Sequence, residues 1–228
     1  MPTDLRKLSE NLLPRLRRKM SKPLIVANWK MNPQTLTEAK RLFNAVKNLG
    51  AVICPPFVYL SALRANGAQD VFYEQGGTFT GQVSPAMLKN LGVKYVIIGH
   101  SERRALGETN EMVNRKVKAA ISVKLKPILC VATLAQLKTL HVTRYTIRDI
   151  ILAFEPLSAI GTGKPYSPEK AKKMRGQIKH PFVLYGGSVN SKNAEDYIKK
   201  AGFQGLLVGG ASLNPKEFSQ IVKNVSKN

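Results

Sequence analysis

The chain has 228 residues, 43% of them hydrophobic, and its 36 lysines and arginines outnumber 14 acidic side chains for a formal charge of +22. That length suits one large domain better than two, and the apolar content is that of a globular protein with a packed core. No apolar run approaches the ~20 residues that a membrane-spanning helix requires, and Cys54 and Cys130 each end a short apolar run with no metal-ligand spacing nearby, which fits free thiols in a reducing, cytoplasmic setting.

Residues 1–21 stand apart. Arg6, Lys7, Arg15, Arg17, Arg18 and Lys19 face only Asp4 and Glu10, with leucines at 5, 8, 12, 13 and 16. Two readings fit: a basic amphipathic helix that touches membranes or acidic partners, or a tail ahead of a domain whose first strand starts after Met20. The second is the simpler. The segment has no continuous apolar stretch of the kind a secretory signal needs.

From residue 24 onward, short apolar runs alternate with helix-like stretches. The runs are Leu24–Ala27, Val52–Cys54, Ala68–Val71, Tyr95–Gly99, Ile128–Val131, Ile150–Phe154, Phe182–Tyr185 and Gly205–Val208. Several are apolar without alternation, as strands buried on both faces are. Leu36–Leu49 carries Ala39, Phe43 and Val46 on one helical face, and Asn110–Lys124 repeats this with Val113, Val117, Ala120 and Ile121. Alternating strands and helices imply parallel strands joined by crossovers, and eight such units predict one α/β domain, a (β/α)8 barrel over residues 22–228. The length is tight, because such barrels typically take about 250 residues. Crossovers within 57–67, 132–149 and 168–181 are therefore expected to hold shortened helices.

Working residues of such barrels sit where the strands end. Here those ends read Asn28-Trp29-Lys30, Gly99-His100-Ser101-Glu102, Glu155, Tyr185-Gly186-Gly187-Ser188 and Val208-Gly209-Gly210. Each alone has an ordinary explanation: a solvated lysine, a hydrogen-bonded histidine, a turn glutamate, a tight Gly-Gly turn. Together they put a carboxylate, an imidazole, an amide and an ammonium on one rim with two glycine loops. A carboxylate at an apolar strand end suits a general base. The other three groups suit an oxyanion developing on a carbonyl. Glycine loops let backbone N–H groups approach a phosphate. Between strands six and seven, Ile160–Lys164 has the glycines of a hinged lid.

At these residues the sequence resembles the triosephosphate isomerase family. The blocks NWKMN (28–32), CPP (54–56), AQDV with Gln69 second, FTG (79–81), GHSERR (99–104), AIGTGK (159–164), YGGSV (185–189) and VGGASL (208–213) occur in the family's order, from about residue 22 to the end. The resemblance implies a triose phosphate substrate, interconverted between aldose and ketose through an enediolate, with no cofactor and no metal. It makes Glu155 the base, His100 the neutral acid, and Lys30 and Asn28 the support of the enediolate, with Glu102 placing Lys30. It assigns the phosphate to backbone N–H groups at Gly161, Ser188, Gly209 and Gly210, and a lid to residues 156–164. It implies a homodimer in which the loop 69–80 reaches the neighbouring subunit.

Two departures stand out. The family's lid opens Glu-Pro-Val-Trp, whereas this chain has Glu155-Pro156-Leu157-Ser158, with Leu157 left to pack where an indole would be. Gln82 stands where the family has a glutamate, which is expected to leave Arg103 short of a charged partner. Two further functions are weighed against the isomerase. One is a phosphate-binding barrel with weakened catalysis, supported only by Ser158 and the short crossovers. The other is a binder of nucleic acid or another polyanion, supported only by the charge. The lysines are spread along the chain without interleaved aromatics, so nucleic acid is not expected to be a partner, and neither is a membrane.

Overall fold

The computed structural model describes residues 22–140, 149–159 and 165–226. The segment 1–21, expected to be an extension, lies outside these residues. Eight parallel strands form one sheet in the order β2-β1-β8-β7-β6-β5-β4-β3, so that β1 has both β2 and β8 as neighbours. They are β1 (Leu24–Asn28), β2 (Val52–Cys54), β3 (Gly67–Ala68), β4 (Tyr95–Ile98), β5 (Lys126–Val131), β6 (Ile151–Phe154), β7 (Val183–Tyr185) and β8 (Gly205–Val208). With helices between the strands, this is the expected (β/α)8 barrel.

The sheet's two ends, β2 and β3, meet at a seam that side chains complete. Asn66 accepts the Ile53 N–H at 2.9 Å and donates to the Ala51 carbonyl at 3.4 Å. Gly67 lets the strands come this close, since a Cβ there would lie 2.5 Å from Cys54 Sγ and 3.0 Å from the Ile53 carbonyl oxygen. The third strand is accordingly two residues long, not the apolar run Ala68–Val71 read from the sequence.

Alternate strand residues feed two cores. Val26, Val52, Ile97, Ile128, Cys130, Ile151, Ala153, Leu184 and Leu207 fill the barrel. Ile25, Ala27, Val96, Ile98, Leu129, Leu152, Phe154, Val183 and Leu206 pack outward under the helices. Apolar runs without alternation follow from having an apolar layer on each side.

The helix Leu36–Val46 starts with a capping box, Thr35 and Glu38 each bonding the other's backbone N–H. It buries Ala39, Leu42 and Val46, while Phe43 is only half-buried because Leu42 faces the barrel more directly. The helix Asn110–Ser122, capped by Thr109, buries Val113, Val117 and Ala120 as expected and Lys116 as well. Among the described residues the crossovers read as short hold a 3-10 turn and the four-residue helix Leu60–Leu63, the six-residue Leu134–Thr139, and the ten-residue Pro168–Gln177. No described helix is long and apolar enough to cross a membrane.

Candidate active site

Strand alternation decides which side chains reach the barrel mouth. Asn28 continues the inward phase of Val26, and Glu155 that of Ile151 and Ala153. Asn28, Lys30, His100, Glu155, Ser188, Gly209 and Gly210 line one cavity of about 240 Å³. Seven of the nine site residues read from the sequence are thus brought together. Glu102 touches the cavity through Lys30, whose Nζ lies 2.5 Å from its Oε1. Gly161, with the rest of 160–164, lies outside the described residues.

Lys30 has a left-handed backbone, φ 55°, which costs an L residue about 1–3 kcal/mol. Its N–H donates to Asn28 Oδ1 at 3.0 Å, and its carbonyl accepts from Gln69 Nε2 at 2.8 Å. With Asn28 Oδ1 engaged this way, the NH2 end of that amide is available to the cavity. His100 accepts the Glu102 backbone N–H on Nδ1 at 3.2 Å. A neutral imidazole held so carries its proton on Nε2, and Nε2 lies 3.3 Å from Glu155 Oε1.

Glu155 is 2% exposed. Its Oε2 accepts the Ser101 N–H at 3.2 Å. Burial raises its pKa above the ordinary carboxylate value; the charge or dipole of His100, the Ser101 N–H, the Cys130 thiol and Lys30 oppose that rise without cancelling it. Gly186 leaves the room this carboxylate occupies, since a Cβ there would stand 2.9 Å from Glu155 Cγ. Ser188 donates both its N–H, at 2.9 Å, and its hydroxyl, at 2.7 Å, to the Ala159 carbonyl. Gly209 and Gly210 open the 3-10 turn Gly210–Leu213, whose first N–H groups have no turn carbonyl ahead of them. Among the described residues no group of three or more His, Cys, Asp or Glu has the arrangement of a metal site.

A buried base facing an imidazole N–H, with an ammonium and free amides across the cavity, suits proton transfer next to a carbonyl of an anionic substrate. The family model described as triosephosphate isomerase matches residues 23–225. The chain belongs to the triosephosphate isomerase family. It is 38% identical to the triosephosphate isomerase of Endomicrobium trichonymphae, over 90% of this chain and 99% of that protein. It is likewise 38% identical to that of Carboxydothermus hydrogenoformans, with the same coverage, and 39% identical to that of a Thermoanaerobacter species, over 89% of this chain and 99% of the other.

Two expectations drawn from departures within this family need correcting. Arg103 does not lack a charged partner: its Nη2 lies 2.9 Å from Asp70 Oδ2 and its Nε 3.8 Å from Glu108 Oε1. Leu157 does not fill an apolar gap at the lid's entry, because it is 61% exposed. Gln69, Ser101 and Cys130, named in the sequence only within a family block, a strand end and an apolar run, touch the Lys30 backbone or Glu155. Gln69 carried a signal, since it is a polar residue inside a stretch read as a strand. Cys130 carried none beyond its place at the end of β5.

Proposed function

We propose that this chain interconverts glyceraldehyde 3-phosphate and dihydroxyacetone phosphate, the isomerisation its named relatives share, in glycolysis and gluconeogenesis in the cytoplasm. The observation that carries the reading is the pair of a buried Glu155 carboxylate and the His100 Nε2, 3.3 Å apart, beside Lys30 on one cavity. Glu155 takes the proton from the carbon next to the carbonyl, and His100 Nε2–H donates to the carbonyl oxygen as charge builds there. Returning the proton to the neighbouring carbon completes the aldose–ketose exchange. Lys30 and the Asn28 amide stabilise the enediolate, and Glu102 holds the Lys30 ammonium. Backbone N–H groups at Gly209, Gly210, Gly161 and Ser188 receive the phosphate. For Ser188 this means exchanging the Ala159 carbonyl for a phosphate oxygen.

A homodimer fits this reading. Met31, Val58, Met87 and Leu106 are 56–83% exposed, on the turn after β1, a 3-10 turn, the helix Pro85–Asn90 and the end of the helix Ser101–Ala105. The loop between β3 and β4 packs on itself, with Phe72 stacked on Tyr73 at 4.1 Å and near Phe79 at 4.8 Å. Residues 22–228 suffice for the activity, because every named group lies within them.

A coupled assay with glyceraldehyde 3-phosphate tests the function. Turnover competitively inhibited by inorganic phosphate is expected, and absent turnover in pure, folded protein would overturn it. Light scattering should give the mass of two copies, and a chain starting at Met20 should keep full activity.

A further inference from the structure

The catalytic cation of this site sits on a backbone that ordinary residues avoid, and something must hold it there. Lys30 has φ 55°. Its N–H is held by the neighbouring Asn28 side chain, but its carbonyl points away from β1 toward the seam between β2 and β3. There the sheet supplies no strand-to-strand ladder to restrain it. What reaches it is one side chain from just past β3. Gln69 Nε2 donates to the Lys30 carbonyl at 2.8 Å and to the Cys54 carbonyl at 2.9 Å. Both amide hydrogens are used, and a flipped amide would turn its oxygen toward two carbonyl oxygens, so the donating orientation is the one the surroundings dictate. Cys54 ends β2, and its carbonyl also accepts the Trp29 N–H at 3.1 Å. The Gln69 amide therefore ties the strained turn to the rigid end of β2.

From this we infer that Gln69 is a positioning residue for Lys30: by bonding the Lys30 and Cys54 carbonyls it fixes the left-handed turn that aims the ammonium into the cavity. The inference rests on the isomerase reading for the use of that ammonium, but the restraint is a property of the turn itself. Gln69 is not a lining residue of the cavity, so any effect on the site passes through the backbone it holds, that of Lys30. Asn66 performs the comparable stitch at the other end of the seam, on Ile53 and Ala51, where no site residue depends on it.

The test is a double-mutant cycle on the full chain, read in both turnover and inorganic phosphate binding. Gln69→Met keeps length and apolar bulk but removes both donors. It should lower kcat/KM by about 10- to 100-fold, as a displaced catalytic group does, and weaken phosphate binding in parallel, because the Lys30 ammonium shares the cavity with Gly209 and lies beside it. In a Lys30→Ala background the same substitution should cost almost nothing further in either readout. Equal losses in the two backgrounds, or no loss with Lys30 present, would overturn the inference. A parent that binds phosphate but does not turn over would sink the isomerase reading instead, with the phosphate cycle still deciding the role of Gln69.

Gln69→Glu covers the case in which the methionine variant does not fold. Its carboxyl keeps the shape and reach of the amide but can donate only when protonated. Its activity relative to the parent should therefore recover as pH falls through the titration of that new group. A ratio flat with pH would count against the donor role, and Asn66→Met, which breaks the other stitch, should leave the kcat to KM balance unchanged if Gln69 is specific.

Discussion

Two regions of this barrel bury ionisable groups, and they treat charge in opposite ways. Beneath the loop after β3, Lys116 is 1% exposed with its Nζ 2.7 and 2.9 Å from the two Asp70 oxygens. It also bonds Glu108 Oε1, and Arg103 closes the group from the surface side. Two cations and two carboxylates balance there, and burial raises Asp70 against the pull of Lys116 and Arg103. At the mouth, Glu155 is equally buried, yet it faces an imidazole N–H, a thiol and a backbone N–H, with Lys30 as the smallest of the influences favouring its charge. The first cluster satisfies its charges with one another. The second leaves a carboxylate underpaired beside an open cavity. A paired carboxylate is inert, and an underpaired one next to a substrate pocket is available as a base.

The largest effect should come from removing that base. Glu155→Gln keeps the shape and is expected to cut kcat by at least about 10²–10⁴-fold with KM changed only several-fold. Steady-state kinetics check this, and a variant with most of its turnover would place the base elsewhere. The balanced cluster should respond in stability instead. Lys116→Met leaves two carboxylates facing Arg103 alone, and breaking such a buried set costs about 3–5 kcal/mol, or of order 10 °C in Tm for a chain this long. Its kcat, measured well below the melting temperature, should remain near the parent's. A variant that melts normally but has lost turnover would reverse the two regions' roles.

The contrast between the regions also marks how far the sequence could be read. The barrel, the strand ends and the gathering of Asn28, Lys30, His100 and Glu155 on one cavity were legible because periodicity and spacing are local properties. Glu155 and Asn28 follow directly from strand phase, and His100 from the turn after β4. The balanced cluster was not legible, because Asp70, Arg103, Glu108 and Lys116 come together only once the loop after β3 folds over the helix Asn110–Ser122. Lys116 lies beside an apolar stripe, where a lysine usually reaches solvent. For Arg103 the sequence displays only the missing carboxylate at 82, and its partner Asp70 comes from across the fold. Gln69 and Asn66 act through the β2–β3 seam, and the seam exists only when the sheet curves until its two ends meet. The exposure of Leu157 was not legible for a similar reason: sequence supplies its bulk but not its direction.

A smaller change should separate room from charge at the mouth. Gly186→Ala places a methyl 2.9 Å from Glu155 Cγ without altering any ionisable group. The carboxylate must move by a few tenths of an ångström, so kcat/KM should fall by about ten-fold while the cluster around Lys116 is untouched. Melting should change little, because the cavity can take up the displaced side chain. An alanine variant with parental kinetics would show that the position Glu155 occupies beside Ser101 is not one that catalysis passes through.

The smallest expected effect concerns stability against pH: burial raises the pKa of both Asp70 and Glu155, and at the mouth the cost of that burial is read by removing Glu155 alone. The Glu155 carboxyl has a raised pKa in the folded chain, with burial as the main cause. Well below the ordinary glutamate range both the folded and unfolded states hold the proton, and this carboxyl adds no pH dependence. As pH rises, the unfolded chain releases its proton first, so the folded state is the one binding more protons and stability falls with pH across the window between the two values. Above the folded value the loss is complete. Glu155→Gln has no proton to lose and should escape that fall. Scanning calorimetry should find parent and variant melting close together near pH 4, with the variant ahead at pH 8 by about 2–4 °C for each kcal/mol of relief. The residual attraction of His100 and Lys30 for the carboxylate reduces this advantage but does not reverse it, because their pull is weaker than the burial effect. If the variant instead lost ground as pH rose, the folded chain would be holding the Glu155 charge better than water does. Glu155 would then be a well-paired carboxylate, and its reading as an underpaired base would fail.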